Sequence, residues 1–537
     1  MATPKKQPQD VRAGRDLDGI SVVWMKRDLR LGDHWPLVRA CETGPVLGLY
    51  AFEPSLWNAP DASRGQFDFA VQCLAEVRAG WARLGGTLIV RVGEMPAVLD
   101  ELDHSLRTAL GQGVAALWSH EETGNAITYA RDIRVGQWCR AHGVRWTEIP
   151  QSGVIRRLQS RDGWAARWQR RMDEPQAAIP KRIHSPVLPP ERTAGDIPSP
   201  AALGVRESPM PEAKVGGEYA AREELESFLE HRGVNYQRDM SSPVAAFGGC
   251  SRLSPYLAWG AISIRHVSQR LDAHVAALRE QAGGEPAHRP DRRWFASLRS
   301  FSARLRWHCH FMQKLESEPQ IEHRNVNRAF DGLREDSWGN EQSQVRFEAW
   351  KAGRTGYPMV DACMRALHSG GWINFRMRAM LASFSSYHLW LHWREPSVYL
   401  ARQFVDYEPG IHYPQFQMQS GVTGINTVRI YSPAKQVLDH DPTGIFIRRY
   451  VPELANVPDE FLAEPHTMPL MTQHMSRCVI GVDYPAPIVD HATAYAHAKA
   501  AIFARRGASA TRAESRRVFV AHGSRKRSGS TRTTQSP

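Results

Sequence analysis

Cysteine is scarce in this 537-residue sequence: seven residues, at 41, 73, 139, 250, 309, 363 and 478, with no CxxC pair and no histidine cluster at zinc spacing. Only Cys478 falls within the last 170 residues, which excludes a four-cysteine iron–sulfur site there. The pattern fits reduced thiols, and a cytoplasmic location is expected. Long apolar runs are missing as well: none reaches the ~18 residues that a membrane helix needs. The first sixteen residues lack the apolar core of a signal peptide. Neither GxGxxG nor GxxxxGK(S/T) follows a strand-like run, so the usual phosphate cradles of dinucleotide and NTP enzymes are absent. A GxSxG nucleophile elbow is absent too.

What is present divides the chain. At this length two domains are the default, and an apolar content of 42% is ample for sizeable cores. Five short β-branched runs open the sequence: Ile20–Met25, Val46–Phe52, Thr87–Val92, Val114–Trp118 and Val144–Ile149. Helical spacing between them, as over 66–84 and 126–141, predicts an α/β domain with a doubly wound parallel sheet over 17–150. Residues 151–215 read as a linker, with eight prolines between Pro180 and Pro211. From 216 to 504 the pattern is helical, with helices expected over 220–232, 255–273, 291–315, 345–367, 373–393 and 396–404. The ends, 1–16 and 505–537, are expected to be disordered. The second carries nine basic residues against one acid, most of the net charge of +12, and suits either nucleic acid or simple solubility. Seventeen tryptophans suggest an aromatic core or stacking and electron transfer.

Four segments of the helical half are unusual for packing alone. Gly248-Gly-Cys-Ser-Arg-Leu-Ser-Pro255 sets paired glycines and hydroxyls before a proline, either an anion site at a helix start or an ordinary N-cap. Helical spacing over 301–311 puts Arg304, Trp307, His308 and Phe311 on one face. Arg376 and Arg378, two apart, face different sides of a helix, so one that points inward needs a carboxylate. Asp406 and Glu408 follow a helix end, where the dipole disfavours acids unless something holds them.

Together these segments resemble the photolyase/cryptochrome family from about residue 20 to 455. The resemblance rests on Trp24-Met-Lys-Arg-Asp-Leu-Arg30 with Asp33, Ser251-Arg-Leu-Ser-Pro-Tyr-Leu-Ala-Trp-Gly260, and Thr355-Gly-Tyr-Pro-Met-Val-Asp-Ala-Cys-Met-Arg365 followed by Gly371-Trp372. Arg429-Ile-Tyr-Ser-Pro433 and Phe446-Ile-Arg-Arg-Tyr-Val-Pro-Glu-Leu454 complete it in order. It implies an all-α FAD-binding domain behind an antenna-type α/β domain, which would carry a folate, a deazaflavin or no antenna chromophore. Tyr236, Cys250, Ser251, Arg252, Leu253 and Ser254 would hold the flavin's phosphates and ribose, with Phe301, Arg304, His308 and Trp372 around the pocket. Arg378 would pair with Asp406, and Asp406 and Glu408 would hydrogen-bond the flavin. In repairing members, light moves an electron from reduced flavin onto a flipped pyrimidine dimer in DNA.

Departures from the family pattern cluster at the substrate side. Trp307 matches a residue that stacks on the lesion, but Arg304 stands where the family has a glutamate, Phe375 where it has Asn or His, and Met418 where it has a second stacking Trp. His412 falls at the position facing flavin N5, usually Asn, and is expected to make flavin reduction pH-sensitive. Of the family's tryptophan relay only the middle member, Trp393, is kept; Phe416 and Asn340 fill the ends, with Tyr407, Tyr413 or Trp390 as substitutes. Two functions follow from the resemblance: a blue-light-driven photolyase, or a cryptochrome-type photoreceptor without repair.

Overall fold

The five apolar runs form five strands, β1 (Ile20–Met25), β2 (Val46–Phe52), β3 (Thr87–Val92), β4 (Val114–His120) and β5 (Arg145–Ile149). All pair in parallel in the order β3-β2-β1-β4-β5, with Trp24 beside Leu49 and Val23 beside Trp118. This computed structural model describes residues 19–188, 195–205, 209–283 and 289–524. β1 is buried at every position, as a central parallel strand covered by helices on both faces must be. Helices Arg64–Arg83 and Trp35–Cys41 lie among its coverings, each begun by a side-chain cap, from Ser63 and His34.

The segment expected to be a plain linker carries a helix, Trp164–Asp173, whose Trp164, Trp168 and Met172 are buried on one face. Two of the long helices read from periodicity are broken. Ser254–Ala258 and Ile264–Gly283 flank Gly260, and Glu341–Lys351 and Pro358–Gly370 flank a turn through Gly353. Gly260 sits at φ +65°, where a Cβ would lie 2.2 Å from the Arg27 carbonyl, so only glycine fits. The helix expected over 373–393 is α from Phe375 to Ser383, passes through a π turn at Phe384–His388, and ends there.

The C-terminal expectation is corrected most. His491–Gly507 and Ser509–His522 are helices, and the second docks through Asn327 to Ser515 (3.0 Å), Arg517 to the Val326 carbonyl (2.7 Å) and His522 to Glu318 (2.6 Å). Residues 1–16 and 525–537 lie outside the described residues. Among the described residues no helix is long and apolar enough to cross a membrane.

One of the hydrophobic cores spans both halves. Trp57 stacks on Trp259 with centroids 5.9 Å apart, Phe69 meets Tyr256 edge-on, and Gln66 donates to the Ala401 carbonyl at 2.9 Å. The loop after β1 is bolted across the joint: Arg30 donates to the Gly260 carbonyl (2.9 Å) and Asp33 pairs with Arg265 (2.8 Å).

Candidate functional site: a polar cavity in the helical half

The helical half encloses a cavity of about 500 Å³, within the ~300–1,000 Å³ usual for small-molecule sites. Its walls come from the 250–254 turn, the Arg293–Ser317 helix, the Phe375–Ser383 helix with the turn before it, and the segment 404–419. Arg304, Trp307, His308 and Phe311 all line it, as their helical spacing requires.

Arg376 and Arg378 both line the cavity, and Arg378 is the one paired with a carboxylate. Its two terminal nitrogens reach the Asp406 carboxylate at 3.0 and 2.8 Å, and its Nε donates to the Ile373 carbonyl. This bidentate pair answers the cost of one of the two acids past the helix end, Asp406. Glu408 has only a distant cation, Arg27 at 3.8 Å, and burial pushes its carboxyl up to about 7. Arg252, at φ +56°, lays its guanidinium 4.0 Å over the Trp372 ring and 5.3 Å over Phe247. No carboxylate pairs with it among the described residues, and Trp372 in turn donates to the Ser254 hydroxyl (3.2 Å). The helix that follows is only five residues long, so the anion-attracting feature of the turn is this guanidinium rather than a helix dipole.

His412 overturns one expectation. Its Nε2 donates to the Ser397 carbonyl at 2.7 Å, and burial pulls its pKa down to about 4. The ring is therefore neutral near pH 7, with Nδ1 as an acceptor, and it is not a neutral-pH switch. His308 is likewise held near 4 by burial.

Tyr236, Cys250, Ser251, Leu253 and Ser254 line the cavity as expected, and burial lifts the Cys250 thiol to about 12, so it is inert. Trp307 is 50% exposed beneath the Arg304 guanidinium (4.7 Å), and Phe375 is 42% exposed; both stand at the mouth. Three expected residues, Phe301, Met418 and Trp393, are not among the lining residues, and neither is Asn340 at the relay's end position. Phe301 packs behind the wall against Phe228 and Tyr236. Met418 is not among the lining residues, although its neighbours Gln415, Phe416 and Gln419 are. Trp393 is buried outside the cavity with its indole N–H on Asn325 (2.8 Å), and Asn340 is a helix N-cap, accepting from the Ser343 amide at 2.8 Å.

Six buried polar atoms on the cavity wall have no partner: Arg252 Nε, His308 Nδ1, Asn374 Oδ1, Arg376 Nε, Glu408 Oε1 and Gln415 Oε1. Buried polar atoms in folded proteins are nearly always hydrogen-bonded, so the wall is built for a ligand with several donors and acceptors. A flavin dinucleotide fits this donor set, with cations for phosphate and mixed groups for ribityl and ring edges. Asn374 and Gln415 carried no sequence signal. Asn374 stands at an N-cap position but makes no cap bond, and donates instead to the Met240 carbonyl at 3.1 Å.

A second crevice lies where the strand order reverses, at the carboxyl ends of β1 and β4, the usual ligand position in such sheets. It leaves about 100 Å³. Lys26 meets Asp132 (3.2 Å), and Arg131 bridges Glu122 (2.6 Å) and Glu53 (3.1 Å) beside it.

Residues 301–504 match the FAD binding domain of DNA photolyase, which makes the chain a flavoprotein. Residues 21–160 match the DNA photolyase domain. The deoxyribodipyrimidine photo-lyase of Thermus thermophilus is 30% identical over 449 residues, 81% of this chain and 93% of that one. Cryptochrome DASH of Gloeobacter violaceus is 26% identical, over 87% of this chain and 93% of that one. The crystal structure of a bacterial class III photolyase from Agrobacterium tumefaciens superposes with a TM-score of 0.75 at 24% identity, covering 93% of this chain and all of that chain. The chain belongs to the photolyase/cryptochrome family.

Proposed function

We propose that this protein is an FAD-dependent, blue-light-driven DNA photolyase acting on pyrimidine dimers. The observation that carries the reading is the mouth of the cavity, where two half-exposed aromatic rings, Trp307 and Phe375, stand beside Arg304 and Arg376. Exposed aromatic faces next to cations are the surface that unstacked bases and their phosphates recognise. Arg304, Arg376, Arg252 and Arg429 add to the paired Arg378, against only Asp406 and Glu408. The cavity is cationic.

The flavin would supply a light-driven electron to the dimer and take it back after the ring bonds break. The chain's own residues bind, orient and exclude water. Arg252 would neutralise phosphate charge over the Trp372 ring. Asp406, fixed by Arg378, and Glu408 would hold the flavin's ring edge and ribityl hydroxyls. His412 Nδ1 would accept a hydrogen bond from a flavin N–H at N5. Trp307 and Phe375 would stack on the extruded lesion, with Arg304 donating to a base carbonyl or a flanking phosphate.

The competing reading is a light sensor without repair, favoured by a C-terminal helix, Ser509–His522, that docks on the helical half through buried Val518 and a few polar contacts. Illumination of the reduced protein with dimer-containing single-stranded DNA separates the two. Light-dependent loss of dimers is expected, while flavin binding with no loss of either dimer type would refute repair.

A further inference from the structure

Behind the flavin cavity, in the joint between the two halves, lies a smaller polar chamber of about 50 Å³. The loops after β1 and β4 and the segment 151–154 wall it on one side, and 257–264, the Arg293–Ser317 helix and Glu408 on the other. Glu408 and His308 line both spaces and so form the partition between them. Each carries a buried atom without a protein partner, Glu408 Oε1 and His308 Nδ1. Glu121 also lines the chamber, with its side chain 22% exposed and 4.0 Å from Arg156. Gln151 braces the wall: its amide nitrogen donates to the Arg27 and Glu121 carbonyls, and its oxygen accepts from Arg30.

We propose that this chamber is a proton inlet to the flavin, with Glu121 collecting protons at its outer end and Glu408 delivering them at its inner end. The inference rests on the flavin reading and deepens it by naming the route and the carrier of the proton. Reduction of a flavin takes up protons as well as electrons, so a ring held in a closed site needs a positioned donor. Glu408 gives its carboxyl proton to a ring nitrogen of the flavin as an electron arrives from an external reductant, a thiol that is itself oxidised. The Glu408 O–H bond breaks and a carboxylate is left. That carboxylate draws a proton through water in the chamber, and Glu121 replaces it from bulk solvent. One proton thus accompanies each electron, and both carboxyls end as they began.

Size, hydrogen bonding and ionisation all suit the chamber to this task. A volume of 50 Å³ holds roughly three to five waters at ~10–15 Å³ each, and the polar lining offers the partners that buried water needs. Glu408 has an oxygen free to trade a proton, whereas both oxygens of Asp406 are engaged by Arg378. Burial, opposed by Arg27, sets the Glu408 carboxyl near 7, where loss and regain of a proton are almost balanced at neutral pH. Burial holds His308 and His412 near 4 and lifts Cys250 to about 12, so these are poor carriers there. The groups facing Glu408 are Arg27 from the loop after β1, Glu122 from the loop after β4, and His308 and Cys309 from the Arg293–Ser317 helix. Arg27 favours the carboxylate and Glu122 the acid. Burial pushes the Glu121 carboxyl up as well, which helps the outer end to pick up protons.

Two measurements test the inlet. A high-resolution crystal structure of the holoprotein is expected to show ordered water leading from Glu408 Oε1 towards Glu121, and a dry chamber would overturn the proposal. Flash photoreduction of the holoprotein with a thiol, followed by a pH-indicator dye and by the infrared band of protonated carboxyl groups, reads the proton itself. Wild type should take up a proton with each electron and show a transient loss of the carboxyl band. Glu408→Gln should abolish that band change and slow proton uptake by at least about ten-fold, a barrier change of ~1.4 kcal/mol. Glu121→Gln, outside the flavin cavity, should keep the loss but slow its recovery by a similar factor, and it carries the test if Glu408→Gln no longer binds flavin. Uptake at the wild-type rate in Glu408→Gln, or recovery at the wild-type rate in Glu121→Gln, would bring the proton in through the cavity mouth. Either result overturns the inlet and leaves the flavin reading intact. A wild type that holds no flavin would overturn both.

Discussion

Arg252 is buried to 7% exposure with an unpartnered Nε and no carboxylate, an arrangement that is costly without a ligand. Arg252→Met keeps most of the volume and removes the charge. In the flavin-free protein the orphaned donor costs about 1–3 kcal/mol. The ring contacts to Trp372 and Phe247 return about 1–2 kcal/mol. Methionine against the same rings recovers part of that through sulfur–aromatic contact. The flavin-free variant is therefore expected within about 1 kcal/mol of wild type, a shift of only about 1 °C in Tm for a chain of this length. With flavin the sign is unambiguous. Loss of a charge-assisted bond to phosphate costs about 1.5–3 kcal/mol, which is roughly a 10- to 150-fold weaker Kd. Thermal unfolding with and without FAD, with fluorescence titration of the flavin, measures both quantities. A large drop in flavin-free Tm with unchanged flavin affinity would show that Arg252 is a structural residue, and the phosphate assignment would fall.

Glu408 has a folded pKa raised to about 7 by burial, so the folded state holds its proton where the unfolded chain has lost it. Stability of the flavin-free protein should fall as pH rises from about 4.5 through 7 and level off above, by up to about 3 kcal/mol, and Glu408→Gln should flatten the profile; a parallel profile in the variant would refute the burial argument. His412→Asn should leave the pH profile of photoreduction parallel to wild type between about pH 6 and 9, because His412 is already neutral there. Trp307→Ala should weaken lesion-strand binding by about 1–3 kcal/mol with little change in its salt dependence. Arg376→Gln should instead lower the salt slope by about one counterion. Binding isotherms at several salt concentrations distinguish these two effects.

The sheet was legible almost to the residue because β1 to β4 are apolar runs fenced by polar turns; β4 runs two residues further, to His120, and the partly exposed edge strand β5 begins one residue later, at Arg145. Helix breaks were less legible. Apolar spacing continues across Gly260 and across the 353–358 turn, and what ends those helices is a carbonyl from the other half or a chain crossing, both remote in sequence. The Ser509–His522 helix was missed for the same reason: its anchors, Glu318, Val326 and Asn327, are nearly two hundred residues away. At the site, the i, i+3, i+4, i+7 set from Arg304 to Phe311 was right because one helix phase fixes all four. Met418 shares a helix face with Ile411, which lines the cavity, but stands seven residues, about 10 Å, further along the axis and is not among the lining residues. Glu408 and His412 were found as residues, but their ionisation follows from burial by distant segments, which no local pattern encodes.

The shared core between the halves has a consequence for synthesis. Trp57, Phe69 and Gln66 belong to the part of the chain made first, yet Tyr256, Trp259 and the Ala401 carbonyl are their partners. At about 5–20 residues per second, the sheet domain waits roughly 10–50 s after completion before the last of these leaves the ribosome. During that interval an aromatic face belonging in a folded interior is open to other chains. The nascent protein is thus a natural client for chaperones, and its yield on expression should respond to translation speed and to holdase supply more than to the stability of the finished fold.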